Sequence, residues 1–364
     1  MNISCAKCSK KVDLKQCSVC KVVYYCGREC QAAHHATHKI NCKCVKIGLA
    51  AVKSKEKLLI EEFNAENVDV FTEMEGNFWG YHETRPYMRS RFSLFTTYSR
   101  MNTPASVREA LLHGRDMLRL CRGDNLGVRQ FMISLYLRTN TYKGMQDGYD
   151  FLKWWDTCDP DGHYDWGNME LPYLNIVGAD MLEAPYPELL HKYASIYNVV
   201  CATLIKMRLL IQLNFTLSDL DTLFLSTIRS TSPMVMFRGN QGVLSTVGSF
   251  LRPSFPCFTT KKLAELRALQ EALRQQVKQL MDHVENNLNN RIWKAIINPY
   301  KVMTADAPEG ISAGSSEEAI EVVKSFLLIF LTRTREAEAM RQILIDRVGP
   351  EPDYDMEPRN FGRY

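Results

Sequence analysis

The chain has 364 residues, 46% of them hydrophobic and 24% charged, with a formal net charge of +4; this is ordinary packed-protein composition, long enough for more than one domain, and too mildly basic to mark a nucleic-acid binder. No uncharged apolar run reaches the length of a membrane span and the N-terminus has no basic-then-apolar leader. Twelve cysteines, clustered at one end and otherwise scattered, suit reduced thiols better than a disulfide framework, so a soluble intracellular protein of nucleus or cytoplasm is predicted.

The cluster comes first in the chain. Residues 5–42 contain Cys5-x2-Cys8, Cys17-x2-Cys20, Cys26-x3-Cys30 and His38-x3-Cys42. A Cys-x2-Cys pair sets two thiolates about one tight turn apart, and an x3 pair fits one turn of helix. Each pair is therefore half of a tetrahedral zinc shell, and the four halves predict two Zn2+ ions. So few large apolar side chains over so short a segment cannot drive folding alone, so metal must supply most of the finger's folding free energy. His34, His35 and Cys44 are spare potential ligands, but only His38 keeps the x3 spacing to Cys42.

The run Tyr25-Cys26-x3-Cys30-Gln31, followed by His38-Lys39-x2-Cys42, resembles the MYND-type zinc finger, with all eight expected ligand positions present. The resemblance implies an interleaved cross-brace: Cys5, Cys8, Cys26 and Cys30 on one zinc, and Cys17, Cys20, His38 and Cys42 on the other. It also implies docking of short Pro-containing peptides. Tyr24, Tyr25 and Gln31, with nearby lysines, are the candidate docking surface; packing between the zinc loops is the competing role for Tyr25. The family usually has Trp three residues before the ligand His, and here that position is His35. The change bears on the aromatic packing beside the second zinc and on the partner groove. The finger is assigned to residues 1–46.

Residues 1–57 carry 12 Lys and Arg against 3 Asp and Glu. Seven ligand thiolates and two dications reduce that excess of nine to about six. The patch that remains suits a solvated or acidic-partner-facing surface, and no basic-aromatic interleaving points to nucleic acid.

From residue 58 to 229 the pattern is helical. Apolar spacings of three and four predict helices near 87–100, 106–120, 127–137 and 144–155, with Pro86 and Pro104 at helix starts and a turn at Gly123-Asp124-Asn125. Segments opening at Met88-Arg89 and Val128-Arg129, about 40 residues apart, suggest a solenoid-like stack of helix pairs, and the run from Arg119 to Arg129 resembles the inter-repeat turn of tetratricopeptide-like proteins over residues 84–156, an irregular helical domain being the alternative. The polar loop at 156–175 lacks the spacing and bidentate Glu of a calcium loop, so packing under its own Trp and Tyr side chains is expected. Long helices are predicted at 187–214 and 217–228, with His191 in a structural role, then a linker at 230–260. A leucine-striped stretch at 261–297 is read as a capping helix rather than a coiled coil. After a loop at 305–316, a capping box at Ser315-x-x-Glu318 opens a last helix to about 348, followed by a mobile tail at 349–364.

MYND fingers also occur within SET-domain lysine methyltransferases. That enzyme class needs SET sequence before the finger and an Asn-His dipeptide; only four residues precede Cys5, and none of the eight His follows Asn. Phosphate-loop and His-Glu-x-x-His motifs are also missing from the sequence. No catalytic residue and no small-molecule substrate are assigned. The expected fold class is mainly α, a two-zinc finger on a helical repeat-like body, acting as a protein-protein adaptor.

Overall fold

The computed structural model describes residues 3–64, 67–101, 103–159, 162–174, 178–230, 255–258, 261–297, 302, 314–330 and 335–350. Most of the expected linker at 230–260, of the loop at 305–316 and of the tail at 349–364 lies outside them. The chain forms two compact units, Met1–Ala179 and Asp180–Pro352. Its class is the expected one, a small finger leading into an otherwise helical chain.

In the first unit, β1 (Lys15–Gln16) and β2 (Tyr24–Tyr25) pair antiparallel. The helix α1 (Arg28–Asn64) then runs unbroken from the finger into the body. Residues 43–57 contain no proline and one glycine among good helix formers, so nothing stops the helix where the ligand pattern ends. Beyond the finger, one face of α1, with Val45, Leu59 and Phe63 buried, packs on α3 (Arg85–Arg100), which follows the short α2 (Val70–Glu73). Gly48 lies at the close approach: a Cβ there would sit 3.0 Å from Leu94 Cδ1.

The helices α4 (Pro104–Leu120), α5 (Val128–Arg138) and α6 (Tyr142–Thr157) each pack on the one before. The pairs α3–α4 and α5–α6 share one construction. Each is joined by a short turn ending in Thr, and the hydroxyls of Thr103 and Thr141 accept the Ser106 and Gly144 amides, both at 3.0 Å. That N-cap satisfies a helix-end donor that would otherwise be orphaned. Arg138 of the second pair donates to Ser99 O at 2.6 Å and Met101 O at 2.7 Å, closing the C-terminal end of α3.

A polar network lies between α3 and α4. Arg91 pairs with Asp116 and donates to Tyr87 Oη and His113 Nδ1, each at 3.1 Å. Burial, with Arg91 beside it, pushes the His113 imidazole down to about 4. The unfolded chain takes up this proton near the ordinary histidine value, and the folded chain does so only near 4. Stability contributed by His113 is therefore present above about pH 6.5 and falls as the pH drops toward 4. At pH 5.5, wild type is expected to lose roughly 1 kcal/mol more than a His113→Gln variant, relative to pH 7.5. Urea midpoints of the two proteins, compared with zinc retained, check this; parallel losses contradict it.

The loop after α6 is packed by aromatic rings as expected. Tyr164 and Trp166 lie 4.4 Å apart, and Trp166 is 6.0 Å from Trp155. Its anchor comes from elsewhere: the buried Arg129 of α5 donates to Tyr173 O at 2.9 Å, and Arg122 to Asn168 O at 2.5 Å.

The second unit centres on α7 (Ile196–Ser230). The helix expected at 187–214 is instead a 3-10 turn, Pro187–Leu190, followed by α7, and the predicted helix at 217–228 is the end of α7. His191 caps the short turn and is exposed. The 26 residues Ile196–Asp221 are long and apolar enough to cross a membrane, but 89% of the qualifying window is buried, which makes this a core helix. Its buried charges are answered. Lys206 donates to Met181 O at 2.7 Å and Glu183 O at 2.5 Å, and Arg208 pairs with Glu336 at 2.5 Å.

The leucine-striped stretch forms α8 (Leu263–His283), which packs on α7, then a π-helical turn, Val284–Leu288, and α9 (Ile292–Ile297). The last predicted helix is two, α10 (Ser316–Phe330) and α11 (Arg335–Val348). Half of the expected capping box forms: Ser315 Oγ accepts the Glu318 amide at 3.1 Å, but the Glu318 carboxylate takes the Gly314 amide at 2.8 Å.

Candidate metal centre

The finger is built from two equivalent knuckles. In Cys5-x2-Cys8 the Ser9 amide returns to Cys5 O at 2.9 Å, and in Cys17-x2-Cys20 the Lys21 amide returns to Cys17 O at 3.0 Å. Ser9 and Lys21 both take positive φ, 62° and 57°, as the tight reversal after the second cysteine requires. The β1–β2 pair crosses the knuckles: β1 leads directly into Cys17, β2 into Cys26, and Gln16 faces Tyr24. Tyr residues suit this short paired stretch.

The other four ligands are organised by α1. Cys26 lies just before it, and Cys30, His34, His38 and Cys42 follow at intervals of four, so they share one helix face. The ligand atoms gather in two groups, Cys5, Cys8, Cys26, Cys30 and Cys17, Cys20, His38, Cys42, each with all atoms within 4.8 Å of one another. This is the interleaved cross-brace. Among the described residues no other Cys, His, Asp or Glu group is so placed.

Distances fit zinc. A tetrahedron with Zn–S bonds near 2.3 Å has edges of about 3.8 Å. Sγ of Cys8 and Cys26 lie 3.5 Å apart, as do those of Cys26 and Cys30, and Cys17–Cys42 is 3.7 Å. His38 presents Nε2 at 3.5 Å from Cys17 Sγ and 3.6 Å from Cys20 Sγ, which identifies its ligating nitrogen. These are edges of a coordination shell. The two donor sets hold two zinc ions, and both are closed by four protein ligands.

The electrostatics agree. Burial and the charges of Cys17 and Cys42 push the Cys20 thiol up to about 12, and hydrogen bonding from Cys26 and Cys8 pushes Cys30 to about 12. Burial also opposes ionisation of Cys5, but the backbone amides of Cys8, Lys7 and Cys26 outweigh it and bring the thiol down to about 6. Crowded thiols cannot all ionise against one another; a dication among them reverses that cost.

Of the spare ligands, His34 is a packing residue: its Nδ1 lies 2.9 Å from Tyr25 Oη and its ring stacks on His38 at 5.9 Å. Cys44 and His35 are exposed and away from both shells. Tyr25 is only 3% exposed and wedges between the zinc loops, so its place is the packing role and not the docking surface. Tyr24, half-buried and bonded to Gln16 Nε2, and Gln31, exposed, remain accessible.

Sequence reasoning missed how the finger is joined to the body. Val22 and Val23 of the second knuckle are buried, and Val22 O accepts the Thr103 hydroxyl at 2.7 Å while that hydroxyl also caps α4. Thr103→Ala loses both bonds and is expected to cost about 1–2 kcal/mol in urea denaturation, with Thr103→Ser close to wild type. Equal stability of the Ala variant would show that the joint contributes nothing.

Residues 5–42 match the family described as MYND finger. The finger also aligns with a histone-lysine N-methyltransferase of Arabidopsis thaliana, ASHR1, at 44% identity over 41 residues. That alignment covers 11% of this chain and 8% of the plant protein, so the likeness is one of fingers. No solved structure matches the chain. The finger is thus a zinc-binding MYND module, of a kind that generally serves protein interaction.

Proposed function

We propose that the chain is a non-enzymatic adaptor: its finger docks short Pro-containing peptides, and its helical body, tetratricopeptide-like in its paired helices, holds a second protein in transcriptional regulation or protein turnover. The observation that carries this reading is closure. With four protein ligands in each set, neither zinc keeps a position for water or substrate, so both ions serve structure. What the zinc supports is surface, where Tyr24 and Gln31 are accessible beside the first ligand set. His35 supplies an exposed imidazole where the family usually has an indole. The plant relative's methyltransferase name rests on a protein of which only the finger aligns, and this sequence has no Asn-His dipeptide.

Fluorescence anisotropy with labelled Pro-containing peptides tests the reading. The intact chain is expected to bind, Tyr24→Ala/Gln31→Ala to bind at least tenfold more weakly with both zinc ions retained, and His35→Trp to bind more tightly. Equal binding by the double variant would remove the finger as the recognition surface. Saturable heat on titrating S-adenosylmethionine into the chain would favour the enzyme instead.

A further inference from the structure

The helix α1 has a second amphipathic face. At about 100° per residue, Ile40, Ile47, Ala51 and Leu58 fall within about 40° of one another, on the side away from α3. Ile40 is 54% exposed, Ile47 58% and Leu58 53%, and Ala51 is exposed too. Along one flank run Lys39, Lys43, Lys46, Lys53 and Lys57, all exposed. Of these five lysines, Lys57 alone has a carboxylate partner among the described residues, Glu61 at 3.4 Å. Single exposed aliphatics are ordinary, but an aligned stripe beside a mostly unpaired lysine row is not needed for packing, because the opposite face already buries α1 against α3.

We propose that this outer face docks an acidic amphipathic helix of a partner protein. Charge selects the occupant. A second copy of the chain would bring its own lysine row to the seam and be repelled, whereas carboxylates flanking a leucine seam would neutralise it. The width of the stripe argues against a lipid surface. An interfacial helix sinks a broad apolar face, commonly with aromatic residues, whereas a narrow aliphatic stripe fits the seam between two helices. Ile40 to Leu58 spans about 27 Å, so the partner helix needs about five turns. The site is independent of Tyr24 and Gln31, and so of peptide docking by the finger.

The probe is a synthetic 21-residue peptide with a leucine seam and Glu on both flanks, so that either chain direction presents carboxylates to the lysines. Anisotropy is measured with the full chain, alongside a scrambled peptide of equal composition. The ordered peptide is expected to bind at least tenfold more tightly than the scrambled one, and less tightly as salt rises. Ile47→Ser/Leu58→Ser and Lys46→Glu/Lys53→Glu should each weaken it at least tenfold with both zinc ions retained. Tyr24→Ala/Gln31→Ala should bind it as wild type does, which separates this site from the finger. Equal binding of the two peptides, or wild-type binding by the stripe and lysine variants, overturns the proposal. So does stripe-dependent capture by phosphatidylserine-containing vesicles, or a dimer in sedimentation that Ile47→Ser/Leu58→Ser abolishes.

Discussion

Stripping zinc from the folded chain is expected to unravel the finger together with the first turns of α1, while α3 to α6 keep their helicity. The ligands explain the extent: Cys30, His38 and Cys42 all lie on α1, so the helix is tied to both ions as far as Cys42 and to α3 beyond it. The finger has little core of its own, and structural zinc typically supplies about 10–16 kcal/mol of apparent binding free energy at neutral pH. The order of loss is also set by geometry. The first set has Cys8 exposed and Cys26 and Cys30 half-buried, whereas Cys17, Cys20 and His38 of the second are buried. A chelator titration followed by a colorimetric zinc dye should therefore show two ions leaving in two phases, the first set emptying first. Cys8→Ser should remove the fast phase and Cys20→Ser the slow one. Acid should release zinc as well, because protons compete for the thiolates. Far-UV circular dichroism should report a small helix loss confined to the second phase, when His38 and Cys42 let go. An unchanged spectrum after both ions have left would mean that the finger folds without metal.

Much of the metal site was legible because ligand chemistry imposes spacing that nothing else imitates. Cys-x2-Cys and His38-x3-Cys42 survive any reading of the surrounding residues, and the structure gathers the same eight atoms. Helix pairs at 85–157 were legible for a similar reason, since apolar period and the two prolines mark them. The continuity of α1 was hidden because two different constraints, metal ligation up to Cys42 and packing on α3 beyond it, share one helix and read as two segments. The single length of α7 was hidden because it is apolar on nearly every side, which leaves no phase to follow, and the break before it comes from Pro187 and a short turn. Tyr25 could not be placed by spacing alone: its burial depends on His34 and His38, about two and three turns into a helix not yet seen to begin at Arg28.

Arg129 was the least legible residue of all, and replacing it is expected to have the largest effect of any substitution outside the finger. In the sequence it is one arginine in a helix; in the structure its side chain is 2% exposed, 3.8 Å from the Asp124 carboxylate. It donates to Arg122 O at 2.8 Å and Tyr173 O at 2.9 Å, and its guanidinium lies 4.7 Å from the ring centroids of both Trp155 and Trp166. One planar cation thus joins the turn before α5 to the aromatic loop after α6, using edge donors for carbonyls and its faces for rings. Arg129→Ala removes the charge that faces Asp124 and empties the space between two indoles, and a loss of about 3–5 kcal/mol is expected. Arg129→Lys keeps the charge but has neither the fork nor the flat face, so it should recover less than half of that loss. Asp124 retains the Val128 and Arg129 amides at 2.7 and 2.8 Å, so α5 should still start at its present place. The damage should therefore concentrate in the loop. Urea denaturation measures the cost, and tryptophan emission measures where it falls, since three of the five tryptophans, Trp154, Trp155 and Trp166, lie in this cluster. A red-shifted emission with zinc content unchanged is the expected result. Wild-type stability in Arg129→Ala would mean that ring packing alone holds the loop and that the arginine is a passenger.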